Sequence, residues 1–165
     1  MQPLHAEMRP LAGVRRRSLV SEMSTIVAAL DTSPRASAVL ARAAKLARQS
    51  NAKLVLLRAV GLPQDLPMEL YGISPDALPG KLVEQSRQAL EALLPELKGI
   101  DVVVDAHIGT PWRTICQIAD EQKADLIVIG THGHTILDTL LGTTASRVVN
   151  HASCSVLVVR ERAPE

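Results

Sequence analysis

A chain of 165 residues with 47% apolar content can bury the core of one domain of ordinary size. Its net charge is +1, and it lacks the basic stripe and aromatic stacking platforms of a nucleic-acid binder. No apolar run approaches the ~20 residues of a membrane span. The two cysteines, Cys116 and Cys154, are too few for a disulfide framework and are expected to be reduced thiols in a cytoplasmic protein.

Residues 1–23 are expected to form a flexible extension before a folded domain of residues 24–162. The extension carries four arginines and lacks the long apolar segment of a secretory signal. Because Met23 directly precedes the first apolar run, a start of translation there is one alternative. An Arg-rich targeting peptide is another.

The first half of the domain alternates a strand, a helix and a second strand. The apolar run 24–30 ends at Asp31, and Ser33 is expected to cap the first helix with Pro34 at its first position. The run 53–60 is almost continuously apolar, which indicates a strand buried on both faces.

The second half continues the alternation. Residues 61–80 contain four prolines and three glycines, which predicts a long irregular loop. A loop of that length is usually functional or mobile. A helix is expected over about 81–97 and a strand over 100–108. Thr110 is expected to cap the third helix, with Pro111 at its first position.

Two more strands, 124–129 and 155–160, enclose a helix over about 143–151. Five strands separated by helices predict a mostly parallel sheet with helices on both faces. Such sheets bind ligands at the carboxyl ends of strands, where the strand order reverses. Two carboxyl ends are unusual, because Asp31 follows the first strand and Gly130 begins a glycine turn after the fourth.

The glycine turn predicts an anion site. Gly130 and Gly133 are expected to allow positive φ and close approach of a ligand to backbone N–H groups. Gly142, Thr143 and Thr144 open the next helix, and a helix N-terminus with hydroxyl side chains favours anions. Turns after strands also use glycine for conformational reasons alone, so both interpretations stay open.

Several motifs, in the right order, resemble the universal stress protein family over nearly all of residues 24–160. They are VAALDTSP, LVLLRAV, IGTPWRTI, ADLIVIGTHGHT and ASCSVLVVR. The resemblance implies a single doubly wound five-stranded parallel α/β sheet of the adenine nucleotide alpha hydrolase type, in strand order 3-2-1-4-5. That order places the switch point between strands one and four, where the two unusual ends lie.

The resemblance also implies a site for ATP, or for AMP or ADP, with Mg²⁺. Asp31 would meet the adenosine, and the main chain of Ala59 would hydrogen-bond the adenine. The glycines and threonines of the turn would surround the phosphates. The other residues of the implied site are Ala29, Leu30, Ile129, Gly130, His132, Gly133, Gly142, Thr143 and Thr144.

The glycine motif departs from the family pattern. Nucleotide-binding relatives carry Gly-x2-Gly-x9-Gly-Ser/Thr, whereas eight residues separate Gly133 from Gly142. One residue fewer removes roughly 3.5 Å of reach from an extended loop. An interaction protein of the same fold without nucleotide binding is therefore an alternative. Arg58 also replaces a common histidine, and Ser155 a usual proline, with little expected effect on triphosphate geometry.

Other chemistry has less support in the sequence. Asp31 has no evident paired base in the sequence, so no catalytic residue is assigned. Its role could also be structural, as a turn or helix-capping residue. Slow ATP hydrolysis is the most that is expected. His132 and His134 lack a third metal ligand, which favours a phosphate contact or a solvated loop. By the resemblance, the protein is a homodimer joined through the edge strand 155–160, with a regulatory role in the stress response.

Overall fold

Strands and helices alternate in the computed structural model, which describes residues 23–61, 78–131 and 143–160. The strands are β1 (Thr25–Ala29), β2 (Lys53–Val60), β3 (Val102–Ile108), β4 (Leu126–Gly130) and β5 (Ser155–Val159). The helices are α1 (Ala36–Ser50), α2 (Leu78–Glu91), α3 (Pro111–Glu121) and α4 (Thr143–His151), and a short 3-10 helix covers Leu94–Leu97. No helix among these residues is long and apolar enough to cross a bilayer.

The five strands form one parallel sheet in the order β3-β2-β1-β4-β5, which confirms the predicted topology. The central strand β1 pairs with β2 on one side and with β4 on the other. At its carboxyl end, Ala29 lies in register with Leu57 and with Ile129. The chain leaves β1 toward β2, and β4 returns to the opposite side, so the switch point lies between β1 and β4.

The alternation of side chains along the strands divides the core into two layers. One layer joins Ile26 and Leu56 of the sheet to α1 and to Leu90 of α2. The other joins Val27 and Ile127 to α3 and α4. Both sheet faces are therefore covered, which explains why the central strands are almost continuously apolar.

The start of α1 corrects one prediction. The helix begins at Ala36 with Arg35 as its N-cap, so Ser33 is not the cap and Pro34 is not the first helical residue. The hydroxyl of Ser33 instead donates to Oδ1 of Asp31 at 2.7 Å, and this local bond competes with helix capping. Thr110 and Pro111 do occupy the N-cap and first position of α3, although the Thr110 side chain makes no capping hydrogen bond.

The predicted second helix is both longer at its start and shorter at its end than expected. It begins at Leu78, inside the predicted loop 61–80, and ends at Glu91 rather than near residue 97. Pro95 explains the end, because a proline ring clashes with the carbonyl group four residues earlier, which belongs to Glu91. The chain continues as the 3-10 helix instead. Residues 1–22 and 62–77 of the predicted extension and loop lie outside the described residues.

Candidate functional site

A pocket of about 140 Å³ lies at the carboxyl ends of β1 and β4. Seven of the residues that the sequence assigns to the site line it together: Ala29, Leu30, Asp31, Ala59, Ile129, Gly130 and Thr144. The wall also contains residues that the sequence did not assign: Ser33, Arg35, Val39, Leu57, Pro111, Ile115 and Thr131. The pocket is mainly apolar with a few polar groups, which is the usual character of a small-molecule site.

The remaining assigned residues are distributed differently. Thr143 is the exposed first residue of α4 and does not belong to the wall. His132, Gly133 and Gly142 lie outside the described residues. The shortened spacing between the two glycines therefore has no structural description, although Thr131 and Thr144, on either side of that segment, both line the pocket.

Asp31 is oriented by its own turn. Its Oδ1 accepts hydrogen bonds from the backbone N–H of Ser33 at 3.0 Å and from the Ser33 hydroxyl at 2.7 Å. The carboxylate is half-buried in the pocket wall. One oxygen thus has the turn role that the sequence allowed, and the same side chain also faces the pocket.

Arg58 lies on β2 and hydrogen-bonds the main chain of this turn. Its Nη2 donates to the carbonyl oxygen of Asp31 at 3.1 Å, and its Nε donates to that of Leu30 at 3.4 Å. Burial lowers the pKa of Arg58, while the negative charge of Asp31 acts in the opposite direction. An arginine guanidinium stays charged in proteins at neutral pH, so Arg58 binds these two carbonyl groups as a cation. The turn after β1 is therefore fixed by both side-chain and main-chain hydrogen bonds.

The glycine at the end of β4 is required for space. Gly130 does not have a positive φ, so that prediction is wrong. A Cβ atom on Gly130 would instead lie 3.1 Å from Cγ2 of Val39, which is closer than ordinary van der Waals contact. Because both residues line the pocket, a side chain at position 130 would act on the pocket directly.

Arg35 and the N-terminus of α4 lie at the β4 side of the pocket. Nη1 of Arg35 donates to the carbonyl oxygen of Thr131 at 3.3 Å, across 96 positions of sequence. Thr144 lies in the first turn of α4, where the helix dipole favours an anion. Arg35 could not be assigned to the pocket from the sequence, because a basic residue at the start of a helix carries no local sign of a contact so distant in sequence.

Metal ligands are not grouped in the described parts of the chain. No cluster of three His, Cys, Asp or Glu side chains there could hold a metal ion. Cys116 is buried and Cys154 half-buried, and both are free thiols, as the sequence predicts.

Comparisons with known proteins agree with this fold. Residues 23–160 match the model of the universal stress protein family. Universal stress protein A homolog 1 of Coxiella burnetii is 32% identical over 141 residues, which cover 81% of this chain and 94% of that protein. The structure of universal stress protein UspA from Lactobacillus plantarum has a TM-score of 0.69 and 25% identity, and the match covers 83% of this chain and 97% of that one. A universal stress protein in complex with cAMP has a TM-score of 0.60 and 26% identity, with 83% and 96% of the two chains covered.

Proposed function

The chain belongs to the universal stress protein family, and we propose that it binds an adenine nucleotide at the switch-point pocket as a cytoplasmic regulator of the stress response. The observation that carries this proposal is the pocket itself, where residues from β1, β2, β4 and α4 that the sequence assigned to a nucleotide site form one wall. The similar universal stress protein in complex with cAMP supports an adenine nucleotide as the class of ligand.

The wall offers a distinct partner for each part of the nucleotide. The main chain of Ala59 would hydrogen-bond the adenine, with Ile115 and Ile129 supplying apolar contact. Asp31 would accept hydrogen bonds from the ribose hydroxyls, as acidic residues do in other dinucleotide-binding sheets. Thr144 and the N-terminus of α4 would meet the phosphates.

ATP, ADP or AMP is the proposed ligand. Ligand pockets usually exceed about 300 Å³. The described wall encloses about 140 Å³, which is less than this, so part of a bound nucleotide would lie outside the described wall. Mg²⁺ would be held mainly through the phosphates, as it commonly is in nucleotide sites. Binding is proposed rather than turnover, because the described residues of the wall include one carboxylate, Asp31, and no histidine or lysine.

We also propose that two copies of the chain associate through β5. In the part of the chain that the structure describes, β5 pairs with β4 alone and its other edge is open. Its residues Val156 to Val159 are half-buried. An open apolar edge favours strand pairing between chains, and a symmetric dimer would cover it.

The test of nucleotide binding has two steps. The purified protein is first denatured and the supernatant examined for released adenine nucleotide. Mg-ATP, ADP, AMP and cAMP are then titrated in a thermal melting assay, with GTP as the control. A ligand at 100 times its Kd stabilises the folded state by about 2.7 kcal/mol.

Two other results would change the proposal. If no nucleotide is released and no adenine compound at millimolar concentration shifts the melting temperature, the protein does not bind nucleotide. The alternative of an interaction protein, which the eight-residue glycine spacing favours, would then replace it. Phosphate release from ATP that is abolished by Gly130→Val would indicate an enzyme.

A further inference from the structure

We propose that Arg35 makes the switch-point pocket selective for phosphorylated adenosine over adenosine itself. This role rests on the proposed nucleotide binding and assigns a new specificity-determining residue within that site. The guanidinium of Arg35 would contact the phosphate closest to the ribose.

The position of Arg35 is given by its contact with β4. Its Nη1 lies 3.3 Å from the carbonyl oxygen of Thr131, the residue directly after β4. The N–H of Thr131 in turn donates to the carbonyl oxygen of Val159 at the end of β5. The guanidinium therefore extends from the start of α1 toward the β4–β5 side of the pocket.

Asp31 lies on the other side. Its carbonyl oxygen accepts from Arg58 of β2, and its carboxylate is held by the Ser33 turn after β1. Among the described residues of the wall, Asp31 carries the negative charge and Arg35 the positive one. Arg58 binds this turn but does not line the pocket, so among the described wall residues the acceptor lies toward β2 and the cationic donor toward β4.

This polarity has the same order as the parts of a nucleotide. From β2 to β4 the wall presents Ala59, then Asp31, and then Thr131 with the contact from Arg35. The proposed partners of base, ribose and phosphate follow one another in the same order. Thr144 at the start of α4 completes the wall and offers a hydroxyl group to the same anion.

The chemistry of the side chain suits a phosphate. A guanidinium has five N–H donors in a planar fork, so one group can serve several acceptors at once, a main-chain carbonyl and a phosphate among them. Hydrogen bonds between charged partners are roughly twice as strong as neutral ones. Removing the hydrogen bonds between Arg35 and the phosphate is expected to weaken nucleotide binding about tenfold to a hundredfold.

Isothermal titration of the full chain with adenosine, AMP and Mg-ATP tests the proposal. The wild-type protein should bind AMP and ATP at least tenfold more tightly than adenosine. Arg35→Gln should weaken AMP and ATP by that factor and change adenosine by less than twofold, and Arg35→Lys should retain part of the preference. Arg42→Gln is the matched control, because Arg42 is exposed on the same helix and outside the wall.

The possible failures are distinguishable. Equal wild-type affinity for adenosine and AMP overturns the role of Arg35 and leaves nucleotide binding intact, and this comparison needs no variant to fold. If Arg35→Gln weakens the binding of adenosine and of AMP equally, Arg35 has a structural role and the proposed selectivity role is overturned. An equal effect of Arg42→Gln attributes the preference to overall charge. If the wild type binds no adenine compound, the proposed function itself fails.

Discussion

A Cβ atom on Gly130 would lie 3.1 Å from Cγ2 of Val39, and this spacing ties the end of β4 to the packing of α1. Since Val39 is buried, a side chain at position 130 would displace it into the core or the pocket. Gly130→Ala is therefore expected to destabilise the fold by about 1 kcal/mol, and Gly130→Val by up to about 3 kcal/mol. Both should weaken nucleotide binding several-fold.

Thermal melting and nucleotide titration of the same samples measure the two effects. Gly61→Ala is the matched control, because a Cβ atom there meets nothing within 4 Å at the end of β2. Wild-type stability and affinity in Gly130→Val would contradict the packing explanation.

Gly109 is expected to be required because of Thr114. A Cβ atom on Gly109 would lie 2.5 Å from Oγ1 of Thr114, which is buried in the first turns of α3. Gly109→Ala should cost about 1–3 kcal/mol of unfolding free energy, as overpacking commonly does. Thr114→Ala removes the clashing oxygen, so the double variant should be more stable than the sum of the single effects implies.

Chemical denaturation of the wild type, both single variants and the double variant measures this coupling. Strictly additive free energies would show that the contact between the two positions has no energetic effect.

The proposed dimer predicts a specific effect of proline in β5. The carbonyl oxygen of Val159 accepts from Thr131 of the β4 side, so the N–H and carbonyl of Val158 face the open edge. Val158→Pro removes an N–H from that edge without breaking the β4–β5 ladder, and it should convert a dimer into a folded monomer. Val158→Ala retains the N–H and should remain dimeric.

Light scattering coupled to size-exclusion chromatography distinguishes the two states, and circular dichroism confirms folding. A wild-type monomer at micromolar concentration, or a dimeric Val158→Pro, would exclude pairing through this edge.

The buried thiols predict a dependence on pH. Burial, with a smaller contribution from Asp120, raises the pKa values of both Cys116 and Cys154. Both groups therefore stay protonated at pH 7.5, and a thiol reagent should modify the folded protein slowly. In guanidinium chloride both should react at once. Fast modification of Cys116 in the native protein would show that it is more accessible than its burial implies.

The same shift has a consequence for stability. A folded-state pKa above the unfolded value means that the folded protein retains its protons to higher pH. The stabilisation is complete below the unfolded thiol pKa of about 8.5 and is lost as pH rises through the folded values. Unfolding free energy should thus fall as pH rises above the unfolded thiol pKa of about 8.5, and less steeply in Cys116→Ser than in wild type.

The sheet could be predicted from the sequence because its signals are local. Each central strand is a short apolar run that ends at a turn residue, and the strand order followed from the resemblance of motifs such as VAALDTSP, which contains Asp31. The pocket position followed from the same topology. Helix ends were less predictable, because Ser33 bonds to Asp31 instead of capping α1.

Contacts between distant parts of the chain could not be predicted. The bond from Arg35 to Thr131 and the close approach of Gly130 to Val39 both depend on how α1 packs across the end of β4. No pattern within α1 or β4 alone encodes that packing. The sequence therefore indicated seven residues of the pocket wall, but neither the contact made by Arg35 nor the reason that Gly130 is needed.

The carboxylate of Asp125 has a consequence for the order in which the nascent chain can fold. Its Oδ2 accepts the N–H groups of Ser24 at 2.7 Å and Thr25 at 3.0 Å, across about one hundred positions of sequence. Of the five strands described, the central one is the first in chain order. One of its edges, and the N–H groups of Ser24 and Thr25, are satisfied only when residues 125–129 have left the ribosome. Until then β1 can pair only with β2, and its other edge stays open.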